Sequence, residues 1–443
     1  MNKQLNNDVT IIGAGVAGIC AANNLLNNGY SVTLIEQREL PGGRINSILD
    51  GRSGDVIDNS QHLLMGAYKE FLELLKDLGT YQYLKFLDEI DLRLYSSNKI
   101  FHLRATSTGK FSFMKSILRL DGIPMKDKLN LFYIFALIQF QNTNDFKSYD
   151  SYTYLKKFNQ SDSFIQLFWE PLILATLNNL PQYAPASLLI TVLQKSFLAD
   201  SYSSKMILPN KGLSELITPI VDKVNKNGIF LAKNKLKEIC LKDGLVDYIV
   251  TNEYEHIRSK YYIMATQANE VIKYYPLQES KLLNNLKQFE YSPILSVYLW
   301  FDTGSFDFDF CGFIGSDTQW LFNRRRFIDA TDVKYSNHFT LLVSSADNLI
   351  SLSNNEILNI VMEDLRLRFP EYKDKEPQHY KIIKEKFATL RITTTTERLR
   401  PDNQTEIPNL LLAGDWTDTE YPATIESAAI SGNYTARVIA TLM

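Results

Sequence analysis

The 443-residue chain is poor in the residues that build metal centres and disulfide frameworks. It has three cysteines, Cys20, Cys240 and Cys311, and five histidines, at 62, 102, 256, 338 and 379, and no pair of them has metal-ligand or Cys-x-x-Cys spacing. Neither a zinc site nor a disulfide framework is expected, and a reducing cytosol is the simplest compartment. An excess of charge is missing too: 47 basic against 50 acidic residues give a net charge of −3, so nothing draws the chain to nucleic acid. There is no membrane-spanning run. The longest apolar stretch, LNLFYIFALIQF at Leu129 to Phe140, has 12 residues against the roughly 20 that a spanning helix needs. It reads either as a buried helix or as part of a surface that dips into a bilayer to collect a lipid. Lys3 and the apolar residues after it do not make a signal peptide, because a glycine turn and a helix account for the same stretch.

What the chain does have is a globular composition, 45% hydrophobic and 22% charged, and a length that predicts two or three domains. Its organising stretch runs from Asp8 to Arg44, DVTIIGAGVAGICAANNLLNNGYSVTLIEQRELPGGR. Val9 to Ile12 predict a buried parallel strand that stops at Gly13. The turn Gly13-Ala14-Gly15-Val16-Ala17-Gly18 then has the G-x-G-x-x-G spacing. Its first glycine permits the tight turn, its second lets a pyrophosphate approach the backbone, and its third lets helix pack on strand. The phosphates would rest on the helix N-terminus, where unpaired N–H groups and the dipole favour negative charge. A second strand, Ser31 to Ile35, ends in Glu36, 18 residues past Gly18, where a carboxylate can accept from an adenosine ribose, with Gln37 and Arg38 beside it. This is a Rossmann-like α/β unit, and alone it leaves FAD and NAD open.

Gly42-Gly43-Arg44 separates them, because FAD-dependent oxidases and desaturases of the amine oxidase superfamily resemble this chain in carrying G-G-R there, with the arginine reaching the phosphate region. Further on, the polar cluster Asp58-Asn59-Ser60-Gln61-His62 lies between apolar flanks, so it either satisfies buried backbone or faces a ligand. Residues 80 to 200 read as strands over Asp91 to Arg104 and then mostly helices, with Pro171 kinking or beginning one. Leu213 to Asn227 reads as one helix, Asp243-Gly244 as a hairpin turn, and Asn354 to Arg368 as a helix closed by Pro370. Near the end, the strand Asn409 to Ala413 runs into Gly414-Asp415, and a helix is expected from Pro422. A strand ending in Gly-Asp permits close approach to phosphate or ribitol and supplies a carboxylate for a ribityl hydroxyl.

These residues carry a broader resemblance. GAGVAGICAA, GGR, GDVIDNSQHLLMGAY, FWEPLILATLNN, MILPNKGL, YSPILSVYLWFD, KFATLRITTTTERLRP and LLLAGDWTDTEYPATIESAAISG resemble the squalene-associated FAD-dependent desaturase family, whose characterised activity is hydroxysqualene dehydroxylation. The matches run from residue 8 to about 435. Ser60 stands where a glycine is usual, and Lys211 interrupts a usual glycine pair.

The resemblance implies a glutathione-reductase-type FAD domain, discontinuous over residues 1–78, 203–285 and 380–443, interleaved with an α+β substrate domain over 79–202 and 286–379. FAD would be bound without a covalent link, and no cysteine follows Cys311 to make a C-terminal one. By the same implication Glu36 holds the ribose, Arg44 lies near the phosphates, and Gln61 and His62 lie near the isoalloxazine. Leu236 meets the adenine side, and Gly414, Asp415, Ala423, Thr424 and Ile425 line phosphate and flavin. The implied substrate is a long apolar isoprenoid, and the implied place is the cytoplasm, peripherally at the inner face of the membrane. Removal of a hydroxyl asks for a proton donor, for which Asp58, His62 and Glu170 are the candidates. No second G-x-G-x-x-G marks a nicotinamide site, so the electron donor is unspecified. Competing readings are a carotenoid-type desaturase, a flavin amine oxidase and, outside catalysis, a lipid-binding protein like the Rab GDP-dissociation inhibitor.

Overall fold

The computed structural model describes residues 4–105, 107, 109–330 and 333–443. A 7-stranded sheet carries the N-terminal unit. Its first strand, Gln4–Ile12, pairs in parallel with Val32–Ile35 on one side and His256–Met264 on the other. Gly228–Leu231 and Leu410–Leu412 extend the parallel part at either end. Parallel strands are covered on both faces, and so Val9, Ile11, Val32 and Leu34 have no exposed surface. The helices Val16–Asn27 and Ile425–Leu442 share one of those faces. An antiparallel hairpin, Leu236–Lys242 with Leu245–Thr251, completes the sheet. Its turn residues Asp243 and Gly244 both have positive φ, 52° and 77°, as a type I′ turn requires.

The second 7-stranded sheet is ordered His379–Leu390, Tyr291–Phe301, Asn337–Ser344, Trp320–Asn323, Phe310–Phe313, Ile90–Tyr95 and Ile100–Ala105. Alternation along Tyr291–Phe301 sorts its two faces. Leu295, Val297, Leu299 and Phe301 pack with Ile357, Val361 and Leu365 of the helix Asn354–Arg368. Ser296, Tyr298 and Trp300 point the other way and hydrogen-bond to residues of the 55–59 segment. The strand His379–Leu390 belongs wholly to this sheet, pairing with Tyr291–Phe301. Its lysines hide the alternation that would have marked it as a strand.

Other expectations shift locally. Leu213 to Asn227 is two helices, Leu213–Ile217 and Ile220–Asn227, because Pro219 interrupts the run. The last helix starts at Ile425 instead of Pro422, where Thr424 is the N-cap and its hydroxyl accepts from Ser427 N at 3.3 Å. Pro171 lies in the first turn of Glu170–Leu177, directly after a π-helical turn at Ile165–Trp169. The apolar stretch at 129–140 falls in the helix Met125–Ile138, whose Leu131, Ile134, Phe135 and Ile138 are buried while Met125, Leu129 and Tyr133 are each about 60% exposed. Among the described residues no helix is long and apolar enough to cross a membrane.

Candidate active site

The glycine turn shows why each of its glycines is needed. Gly13 has φ +103°, and a Cβ there would lie 2.6 Å from Ala265 O. A Cβ on Gly18 would lie 1.9 Å from Gly13 O, so the third glycine is what lets the helix dock on the turn. At Gly15 a Cβ would meet no atom within 4 Å, because this residue faces an open cavity. That space, at a helix N-terminus, is what a pyrophosphate needs. The second glycine pair lies along the first turn: Gly42 N donates to Ala14 O at 2.7 Å, and a Cβ on Gly43 would come within 3.3 Å of Gly15 Cα.

Glu36 is buried, and its two oxygens accept from Ala14 N at 3.0 Å and Arg38 N at 2.9 Å. A carboxylate has about four acceptor positions, so two remain for ribose hydroxyls. Gln37, Arg38 and Leu236 line the same end of the cavity, and Val16 and Ala17 line it at the turn. Ala14 and Gly18 stay out of the lining, and their part is to hold the turn together.

The facing wall comes from the far end of the chain. Gly414 packs so tightly on Trp416 that a Cβ would meet the indole at 2.4 Å. Asp415 pairs with Arg44 at 2.7 Å, and Arg44 also donates to Ala388 O at 2.8 Å. Arg44 and Asp415 both line the cavity, so this ion pair ties its two walls. The buried Arg400 donates to the carbonyls of Asp415, Thr417 and Tyr421 and fixes the loop between them. Ala423, Thr424 and Ile425 bring the N-terminus of the final helix to the same space.

Behind that N-terminus, Glu426 is buried and accepts from the backbone N–H groups of Glu70 and Phe71 at 3.0 and 3.1 Å. Burial pushes its carboxyl up to about 7. The folded chain therefore holds this proton more tightly than the unfolded one, so the stabilisation is full below pH 4.5 and is lost as pH rises towards 7. Comparing wild type with Glu426→Gln by chemical denaturation should show wild type losing about 3 kcal/mol relative to the variant between pH 4.5 and 8. Parallel pH profiles would contradict it.

The cavity encloses about 510 Å³ and does not stop at the cofactor residues. It passes Gln61 and His62 and opens into a chamber walled by Leu92, Phe113, Phe168, Phe197, Phe310 and Phe322. Of the three candidate proton donors, only His62 lines it. Burial, opposed by the Asp58 charge and aided by the Arg44 charge, holds the His62 imidazole below its ordinary value and so favours the neutral ring.

Asp58 is elsewhere. Its carboxylate accepts from Ser47 Oγ at 2.6 Å and Leu213 N at 2.9 Å, and lies 3.3 Å from the Arg324 guanidinium. That ring of donors takes it out of contact with any occupant of the cavity. Glu170 is likewise outside the lining, although Pro171 and Leu172 belong to it, and burial raises its carboxyl.

Sequence reasoning missed Arg324. It looks like part of a solvated Arg324-Arg325-Arg326 run, yet it has no exposed surface. It stacks 5.6 Å from the Tyr298 ring and donates to Gln61 Oε1 and to Val56 O. Arg324 opens a 3-10 turn directly after the strand Trp320–Asn323, and no sequence period marks it as buried.

Comparisons with known proteins agree with this geometry. Residues 16–440 match the family described as flavin containing amine oxidoreductase. The hydroxysqualene dehydroxylase of Rhodopseudomonas palustris is 25% identical over 442 residues, covering 98% of this chain and 99% of that one. The 15-cis-phytoene desaturase of Synechococcus elongatus is 26% identical over 465 residues, covering 97% and 95%. Among solved structures, putrescine oxidase bound to putrescine superposes with a TM-score of 0.74 at 16% identity, over 99% of this chain and 100% of that one. Cyclohexylamine oxidase from Brevibacterium oxydans gives 0.69 at 15%, over 98% and 99%. With the glycine cradle, the free acceptors of Glu36 and the Gly414-Asp415 wall all suited to FAD, the chain is an FAD-dependent oxidoreductase and belongs to the flavin-containing amine oxidoreductase family.

Proposed function

We propose that the protein reductively removes the hydroxyl group of a long isoprenoid alcohol of the hydroxysqualene type, giving squalene. The observation that carries this reading is the unbroken passage from the cofactor end of the cavity into the apolar chamber. Among the described residues, the chamber lining beyond His62 has no charged side chain, which suits an isoprenoid and disfavours the alkylammonium substrate of an amine oxidase. FAD, when bound and reduced, supplies the hydride. The C–O bond of the alcohol breaks, a C–H bond forms with that hydride, and the departing hydroxide takes a proton, passed from solvent by way of His62, to leave as water. The apolar walls exclude bulk water, and neutral His62 is placed to donate a hydrogen bond to the departing oxygen. Asp58 is a positioning residue, acting on Gln61 through Arg324.

A phytoene-type desaturase would use the same cavity with hydride moving towards the flavin, and the Synechococcus relative favours it as a second reading. Product analysis in cells supplied with one or the other substrate separates them: squalene from hydroxysqualene supports dehydroxylation, and new double bonds in phytoene with no squalene would replace it.

An apolar substrate of this length resides in membranes, and we assign its collection to the outer face of the helix Met125–Ile138. Met125, Leu129 and Tyr133 are exposed there, and Lys115, Arg119 and Lys126, close in sequence, are exposed too. The preceding helix, Lys110–Leu118, places Phe113 in the chamber wall. A Leu129→Glu/Tyr133→Glu double variant should lose at least tenfold in flotation with phosphatidylglycerol vesicles while keeping its FAD. Equal flotation would remove this face from the account.

A further inference from the structure

Where the cofactor end of the cavity meets the apolar chamber, the helix Glu170–Leu177 ends on the edge of the second sheet. Asn178, 5% exposed, caps it in the left-handed conformation, φ 46° and ψ 42°. Two backbone groups fix which way its amide points. Its Oδ1 accepts from Ser345 N at 2.7 Å, and its Nδ2 donates to Ser292 O at 3.2 Å. The remaining Nδ2 hydrogen goes to Thr389 Oγ1 at 2.9 Å. The Thr389 hydroxyl is thus an acceptor towards Asn178, and its own hydrogen is unspent: no described residue accepts it. Thr389 lines the cavity and is half-buried.

Ser344 completes the arrangement. It precedes Ser345, which the same Asn178 holds, it lines the same cavity, and its hydroxyl has no partner among the described residues. The strands bearing Ser344 and Thr389 flank Tyr291–Phe301 on its two sides, and Asn178 bridges them. Nearby Thr176 offers no such donor, because its hydroxyl is already given to Leu172 O at 2.7 Å. The notch lies beside Ala388, whose carbonyl Arg44 grips, and so at the border of the cofactor wall.

We propose that Thr389 and Ser344, aligned by Asn178, form the subsite that receives the oxygen of the substrate, the hydroxyl of an isoprenoid alcohol. An apolar chamber gains nothing from two uncommitted donors if its occupant is a hydrocarbon, since filling it would strip both of water and leave them unpaired. An alcohol oxygen has two lone pairs, so it can accept from whichever of the two hydroxyls it meets and still accept from His62. Neutral donors also suit an oxygen that leaves carrying negative charge, and no carboxylate in the chamber lining opposes it. The subsite rests on the dehydroxylase reading, because a desaturase substrate has no oxygen to place there.

The test is ligand titration of the oxidised holoenzyme, followed by the absorbance of its bound flavin, with hydroxysqualene and with squalene. Thr389→Val and Ser344→Ala should each weaken hydroxysqualene binding about tenfold, and the double variant more, while squalene binding stays level or tightens. Thr389→Ser should restore most of the alcohol's affinity. Equal losses for both ligands would mean that the variants only disturb packing, and unchanged alcohol binding would mean that the hydroxyls do not touch it; either overturns the subsite. If wild type prefers the alcohol through these two residues but reduced enzyme forms no squalene, the dehydroxylase reading fails and the subsite stands. If squalene forms equally well in the double variant, the subsite alone fails.

Discussion

Gly15→Ala and Gly18→Val should both yield protein without flavin, and only the second should be unstable. At Gly18 the new Cβ would sit 1.9 Å from a backbone oxygen of Gly13, a contact that no side-chain rotation relieves, so helix and turn must separate. Overpacking of this kind costs about 1–3 kcal/mol or more, which here comes with a displaced phosphate cradle. At Gly15 the methyl meets no protein atom and φ is −74°, which alanine adopts freely, so the apoprotein should melt with wild type. The methyl instead enters the space of the pyrophosphate, and we expect FAD affinity to fall at least a hundredfold, about 3 kcal/mol. Flavin-to-protein absorbance ratios and apoprotein melting curves check both. Full FAD retention in Gly15→Ala would mean that the open space at Gly15 is not the phosphate site.

The second large effect belongs to Arg324. It is fully buried, and Arg324→Met leaves Asp58 with the donors from Ser47 and Leu213 but no counter-charge. Removing one partner of a buried pair costs about 3–5 kcal/mol, whereas replacing both by neutral groups is often close to neutral. Asp58→Asn/Arg324→Met should therefore recover most of the stability that Arg324→Met loses, and a double-mutant cycle in urea measures the coupling. Gln61 should lose its fixed orientation in both variants, because its Oε1 depends on the guanidinium. If the two single losses simply add, Arg324 and Asp58 are not a coupled pair.

The cofactor end was legible because its chemistry is local. Strand, turn, helix, strand and Glu36 follow one another within about thirty residues, and glycine spacing encodes backbone conformation directly. The final wall, Gly414 to Ile425, was legible for the same reason, with an error of three residues in the helix start because a threonine N-cap outweighs the proline before it. The rest depends on contacts between segments far apart in sequence. Asp58 looked like a candidate acid because nothing in DNSQHLL announces a partner 266 residues away. Nothing in the run Arg324-Arg325-Arg326 sets the first arginine apart from the other two, which reach carboxylates, Arg325 at Asp55 and Arg326 at Asp309. The Asn178 notch joins a helix end to two strands that begin at residues 337 and 379, a register that only the folded sheet sets. The lysines of the strand His379–Leu390 mask its period, which is why Thr389 was not suspected.

The most direct test of the central claim is a single turnover without oxygen. Photoreduced holoenzyme is mixed anaerobically with hydroxysqualene, the flavin spectrum is followed, and the product is extracted. The oxidised flavin spectrum should return with one equivalent of squalene formed per flavin. Flavin that stays reduced in the presence of hydroxysqualene, together with oxidised enzyme that is reduced by phytoene, would contradict it and reverse the direction in which hydride moves.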